Sequence, residues 1–169
     1  MSSVSERGMS IATLHLSPVV IFERLLVSEV NVDRLRDLAG HLRSACSQLR
    51  EHASLGLNGF VSDLKTTNSA KYLLIVASEA ALDICNHLAA KRGGRSPEDY
   101  ADCMSILAEL GILDPDLQRR MSRMARFRNL LVHLYWRVDD REVFRIVSEH
   151  LDDFDLYLRA IGQYLKAEL

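Results

Sequence analysis

Apolar residues recur at three- and four-residue intervals along most of the chain and never alternate in the manner of a half-buried strand, so the pattern predicts an all-α protein. The clearest run is the last. From about Asp140 onward, Val143, Val147, Leu151, Phe154, Leu158, Ile161 and Leu165 step by 4, 4, 3, 4, 3 and 4 residues, the signature of one helix with one buried face. Upstream, Asn31 is placed to cap a helix reaching about His52, with Leu35, Leu38, Leu42, Cys46 and Leu49 on its apolar side. A glycine-containing loop is expected at 55–59. A long helix then runs from about Thr67 to Lys91 and stops at Gly93-Gly94. Ser96-Pro97 and Asp114-Pro115 each read as a cap followed by proline in the first turn. The first opens a helix ending at Leu110-Gly111, and the second a helix reaching about Leu134. Before all of these, residues 1–16 read as a Ser-rich mobile leader, and Ser17-Pro18 as the start of a short helix over Val19–Val30. A single helical domain over 17–169, built as a bundle of four to five helices with short loops, is the expected fold.

Composition narrows the class of protein. With 169 residues, 48% of them hydrophobic and 26% charged, the chain can bury a core without metal or disulfide support. Its three cysteines, Cys46, Cys85 and Cys103, are scattered and form no CxxC pair, which suits reduced thiols in a cytoplasmic protein. No uninterrupted apolar run approaches the roughly 20 residues of a membrane span, and no secretory signal is expected at the N-terminus.

A formal net charge of −2 gives no hint of a polyanionic partner, but its distribution does. From Leu117 to Val138 there is no acidic residue and there are six arginines: Arg119, Arg120, Arg123, Arg126, Arg128 and Arg137. Such a cluster is either a solvated helix face or a docking surface for a phosphate backbone. The same helix ends in Arg128-Asn129-Leu130-Leu131-Val132-His133-Leu134-Tyr135. Alone, an arginine five residues before a histidine is uninformative, since a helix-end histidine often serves only the negative end of the dipole.

Several blocks in order carry more. Met124 to Tyr135, followed by Val138-Asp139, resembles the signature of the HepT-like group of HEPN domains. Glu79 to Leu88, Pro97-Glu-Asp-Tyr100, Leu110-Gly-Ile-Leu113 and His150-Leu-Asp-Asp-Phe154 resemble its remaining helices, over roughly 31–165. The resemblance implies a metal-independent ribonuclease, needing no cofactor, whose active site forms across a homodimer. Its catalytic motif falls on Arg128 and His133, with Asn129 as polar neighbour. It also implies a toxin acting on RNA, with tRNA a natural substrate. The partner would be an MntA-type nucleotidyltransferase antitoxin that silences the toxin by adding AMP to Tyr135.

Residue chemistry supports those roles. RNA brings its own nucleophile, the 2′-hydroxyl, so the protein need only move protons and stabilise charge. Histidine titrates near neutrality and suits the first task. Arginine's fixed fork of donors suits the second, and Arg119, Arg120, Arg123, Arg126 and Arg137 could hold the RNA backbone. Around an ideal helix, positions 128 and 133 lie about 140° apart. One helix therefore does not converge them, whereas two helices about a twofold axis would. If the helix continues through Tyr135, that residue returns to within about 20° of Arg128. Glu79, Asp83 and His87 lie along the preceding long helix; they could support the site, although Asp83 and His87 more often make a local surface pair. Trp136 could stack a base but more often belongs to the core. His15, His41, His52 and His150 show no constellation. The competing reading is a non-catalytic HEPN scaffold that binds nucleotide or partners a nucleotidyltransferase; the complete Arg-Asn-x3-His-x-Tyr motif favours the enzyme.

Overall fold

The computed structural model describes residues 30–168, and all regular structure among them is helical. The leader expected at 1–16 and nearly all of the short helix expected at 19–30 lie outside the described residues.

Helix α1, Val32–Ala53, opens as its cap residue dictates, with the Asn31 side chain accepting from the Arg34 N–H at 2.9 Å. It buries Leu35, Leu42, Cys46 and Leu49. The expected glycine loop is instead a short helix, α2, Gly56–Ser62. Gly56 supplies the left-handed turn into it (φ 69°), and the buried Phe60 ring meets Phe144 edge-on at 5.3 Å. Burial of one aromatic residue outweighs the weak helix propensity of the two glycines here.

Helix α3, Leu64–Arg92, is the central element and begins three residues before the expected Thr67. Asp63 caps it, accepting from the Lys65 and Thr66 N–H groups. Its alanines (Ala70, Ala77, Ala80, Ala81, Ala89) are buried on several sides and let neighbouring helices approach closely. By length and composition α3 is also apolar enough to cross a bilayer, contrary to the expectation that no stretch would be, but most of that stretch is buried within this fold. Helix α1 runs antiparallel to α3, joined near its ends by Asn31 N–H to His87 Nε2 and by His52 to Ser69, each 3.0 Å.

Helix α4, Tyr100–Glu109, starts later than Ser96-Pro97 suggests. Asp99 is its cap, and a bidentate Arg95–Asp102 ion pair at 2.6 and 2.8 Å holds the preceding segment as a loop. Contrary to the expectation of reduced thiols, Cys85 of α3 and Cys103 of α4 form a disulfide across this hairpin, with Cα atoms 6.1 Å apart. Spacing along the chain could not reveal it, because packing of α4 on α3 is what brings the two together. Cys46 remains a free thiol, and burial pushes its pKa up to about 12.

Helix α5, Pro115–Leu134, matches its predicted bounds; Asp114 caps it by accepting from the Asp116 and Leu117 N–H groups. A single 3₁₀ turn, Tyr135–Arg137, follows. The final expected helix is two, α6 (Asp140–Glu149) and α7 (Asp152–Glu168). The chain breaks at His150 (φ −124°, ψ 2°), yet Leu151 stays buried, so the apolar spacing runs through the break unaltered. Tyr157 pins α7 to α3, its hydroxyl donating to the Ala81 carbonyl at 2.9 Å. The described chain thus has seven α-helices rather than four or five, around one core.

A candidate ribonuclease site on helix α5

Helix α5 presents different chemistry on different faces. Inward, Arg128 is largely buried, with 14% of its side chain exposed. Its guanidinium forms an ion pair with Glu79 of α3, donates to Asn129 Oδ1 at 2.8 Å, and lies 5.4 Å from the centre of the Tyr100 ring of α4. Opposite charge, a hydrogen bond and a cation–π contact therefore hold one side chain from three helices. Its Nε is buried and has no acceptor among the described residues. Tyr100 was not singled out from the sequence, although it stands in the Pro97–Tyr100 block that resembles the family.

Outward, His133 is exposed in the last turn of α5. Arg119, Arg123, Arg126, Leu130 and His133 fall within about 40° of a common line along the helix, and all five are exposed. Arg119 is paired with Asp116, whereas Arg123 and Arg126 have no ion-pair partner among the described residues. Arg120 points elsewhere, to Asp153 at 2.9 Å. The arginine cluster thus divides into an outer row and a set tied into the fold. Within the chain, Arg128 and His133 face apart.

Helix α5 ends at Leu134 (φ −139°, ψ 34°), so the helical count from Arg128 to Tyr135 does not apply. Tyr135 sits in the 3₁₀ turn with 56% exposure, its ring edge-on to Trp136 at 5.3 Å. Trp136 is 65% exposed rather than in the core, because the turn directs both rings outward and Val138 takes the buried position. Arg137 is exposed on the same turn. Lys71 of α3 reaches Asp140 at 2.7 Å and the Val138 carbonyl at 3.4 Å, which brings exposed Tyr72 to this end of the molecule. Leu130 and Val132 are also exposed, each to 40%, on faces of α5 about 160° apart by the helical count.

Asp83 is exposed, one turn from Glu79, and bonded to nothing among the described residues. His87 does not pair with it; it fastens the start of α1 instead. Burial, with the nearby Arg34 and Lys91 charges, lowers the His87 pKa below the ordinary histidine value. No group of three or more His, Cys, Asp or Glu side chains among the described residues is arranged to hold a metal ion.

The bundle of described helices has the HEPN fold. Over 78% of this chain and 98% of the other, it superimposes with a TM-score of 0.72, at 23% identity, on the tri-AMPylated Shewanella oneidensis HEPN toxin in complex with MNT antitoxin. Within that fold the chain belongs to the "Ribonuclease HepT-like" family, whose model matches residues 42–161. It is 30% identical over 118 residues to the tRNA nuclease HepT of Aphanizomenon flos-aquae, covering 69% of this chain and 80% of that one. It is 28% identical over 102 residues to the mRNA nuclease HepT of Shewanella oneidensis, covering 60% and 77% respectively.

Proposed function

We propose that this chain is the toxin of a toxin–antitoxin pair, a cytoplasmic, metal-independent ribonuclease that acts as a homodimer. The observation that carries the reading is the division of α5: Arg128 anchored inward by Glu79, Asn129 and Tyr100, His133 exposed outward in the last turn. A twofold partner packed against the end of α5 would cover exposed apolar side chains there, such as Val132, Tyr135 and Trp136, and gather two copies of the motif. In such a site His133 takes the proton of the RNA 2′-hydroxyl or gives one to the leaving 5′-oxygen. Arg128 stabilises the charge on the phosphorane. The 2′-oxygen–phosphorus bond forms as the phosphorus–5′-oxygen bond breaks, leaving a 2′,3′-cyclic phosphate. The exposed row of Arg119, Arg123 and Arg126, with Arg137, is suited to the RNA backbone, and the nuclease names of both relatives favour RNA, tRNA included, as substrate.

Regulation follows from Tyr135. Its exposed hydroxyl is open to AMPylation by an MntA-type nucleotidyltransferase, the modification carried by the solved HEPN toxin. Each AMP would add bulk and about one negative charge where RNA must enter.

The test is cleavage of RNA by purified protein in EDTA, with the new ends sequenced. Wild type should leave cyclic phosphates and His133→Ala should leave RNA intact; loss of cleavage on chelation, restored by magnesium, would refute the mechanism. Tyr135→Phe should still cleave, yet escape both AMP addition and neutralisation when the antitoxin is co-expressed. A neutralised Phe variant would place inhibition in complex formation instead.

A further inference from the structure

Along another flank of α5 lies a cleft of about 430 Å³ between α5, α6 and the start of α7. Its floor is apolar, made by Met124, Phe127 and Ile146, and its rim is cationic, with Arg120 and Arg123 on one wall and Arg145 and His150 on the other. Two carboxylates share that rim. Asp153 is paired with Arg120 at 2.9 Å, and Glu142 takes two hydrogen bonds from Arg145 at 2.9 and 2.7 Å. Glu149, 3.6 Å from Arg145, stands outside the cleft wall. Arg123 is therefore the rim guanidinium with no carboxylate partner among the described residues, and the lining carries one net positive charge with His150 neutral. His150 Nε2 lies 3.3 Å from Arg145 Nη1, which suits the tautomer with its proton on Nδ1, a further donor for an anion.

We infer that this cleft binds one nucleotide unit, its base against Phe127 and its phosphate between Arg123 and Arg145. One net positive charge matches one phosphodiester better than a polyphosphate. A volume of about 430 Å³ is within the range of small-ligand sites and excludes a duplex. Half-buried Phe127 offers a flat apolar surface, and stacking on such a ring accepts any base. The unit is a nucleotide of the RNA substrate, an assignment that rests on the ribonuclease reading. Arg123 stands on a crest, since it also lines the groove between α4 and α5 with Arg119 and Arg126. A strand following the exposed arginine row toward His133 crosses Arg123 about 15 Å along the helix from that histidine. There it can turn one base into the cleft. The cleft thereby sets register, fixing which nucleotide lies a few units from the cut.

The test uses the full chain carrying His133→Ala, so that RNA survives. Affinities for a fluorescein-labelled single-stranded oligoribonucleotide and for nucleoside 5′-monophosphates are measured with and without Arg145→Gln. Arg145 stands on α6, off the arginine row, so RNA lying only along α5 would lose nothing by its removal. The cleft requires about a tenfold loss of oligonucleotide affinity, largely recovered in Arg145→Lys, which keeps the charge. An abasic nucleotide at one position should weaken the Arg145 protein, and do so much less in the Gln variant. Unchanged oligonucleotide affinity in Arg145→Gln overturns the cleft and leaves the ribonuclease reading standing. Monophosphates bound through Arg145 with no oligonucleotide affinity would keep the nucleotide site, make its ligand free nucleotide, and defeat the ribonuclease reading. No affinity for either probe overturns both.

Discussion

Arg128 and His133 stand together in the sequence as a candidate motif, but their environments are not legible there. His133 is exposed at a helix end, so His133→Ala should abolish cleavage while changing stability by less than about 0.5 kcal/mol. Arg128 is different, because it neutralises the half-buried Glu79 and packs on Tyr100. Arg128→Ala should also abolish cleavage, but it leaves Glu79 unpaired and should cost about 1 kcal/mol in a denaturant melt. Equal stability of the two variants would contradict the anchored position. His87 affords a second residue-scale test. Its Nε2 must be unprotonated to accept from the Asn31 N–H, and its folded-state pKa is lowered, chiefly by burial and then by the Arg34 and Lys91 charges. A depressed folded value means that this contribution is complete above the unfolded value of 6.5 and is lost as pH falls through the folded one. His87→Gln keeps an acceptor that does not titrate. The fall in melting temperature between about pH 7.5 and about pH 5 should be smaller in that variant than in wild type.

At the scale of elements, capping residues read well and breaks read poorly. Asn31 and Asp114 start α1 and α5 where the sequence places them, because a cap is a local hydrogen bond between a side chain and a nearby N–H. Ser96-Pro97 misleads, because the Arg95–Asp102 pair claims that segment and leaves Asp99 to cap α4. The junction of α3 and α4 is also close-packed. A Cβ on Gly93 would lie 2.6 Å from both the Ala89 carbonyl oxygen and the Ile106 side chain. Backbone cannot yield there as a flexible side chain would. Gly93→Ala should therefore destabilise the protein by about 1–3 kcal/mol in thermal or denaturant unfolding; a neutral result would mean that the α3–α4 turn is not packed as described.

For the whole molecule, the decisive feature is what the chain leaves uncovered. Val132, Tyr135 and Trp136 are large apolar side chains left exposed at the end of α5, with Tyr72 exposed on α3. Val132→Glu, at an exposed position, should leave the helical circular dichroism unchanged yet give a monomer by light scattering and no RNA cleavage. A Val132→Glu protein that remains dimeric and active would place the interface elsewhere.

The helical class, the long α3 and α5, and the row of arginines leading to His133 were all determined by the sequence. Each rests on periodicity or on contacts a few residues apart, which a linear chain displays directly. Only the tertiary structure decided that Phe60 makes a helix of a glycine loop, that the chain breaks at His150, and that Cys85 meets Cys103. Packing of α3, α4 and α5 likewise joins Glu79 and Tyr100 to Arg128 while the 3₁₀ turn after Leu134 directs Tyr135 and Trp136 outward. These outcomes depend on which distant segments compete for the same buried space, and that competition leaves no trace in local spacing.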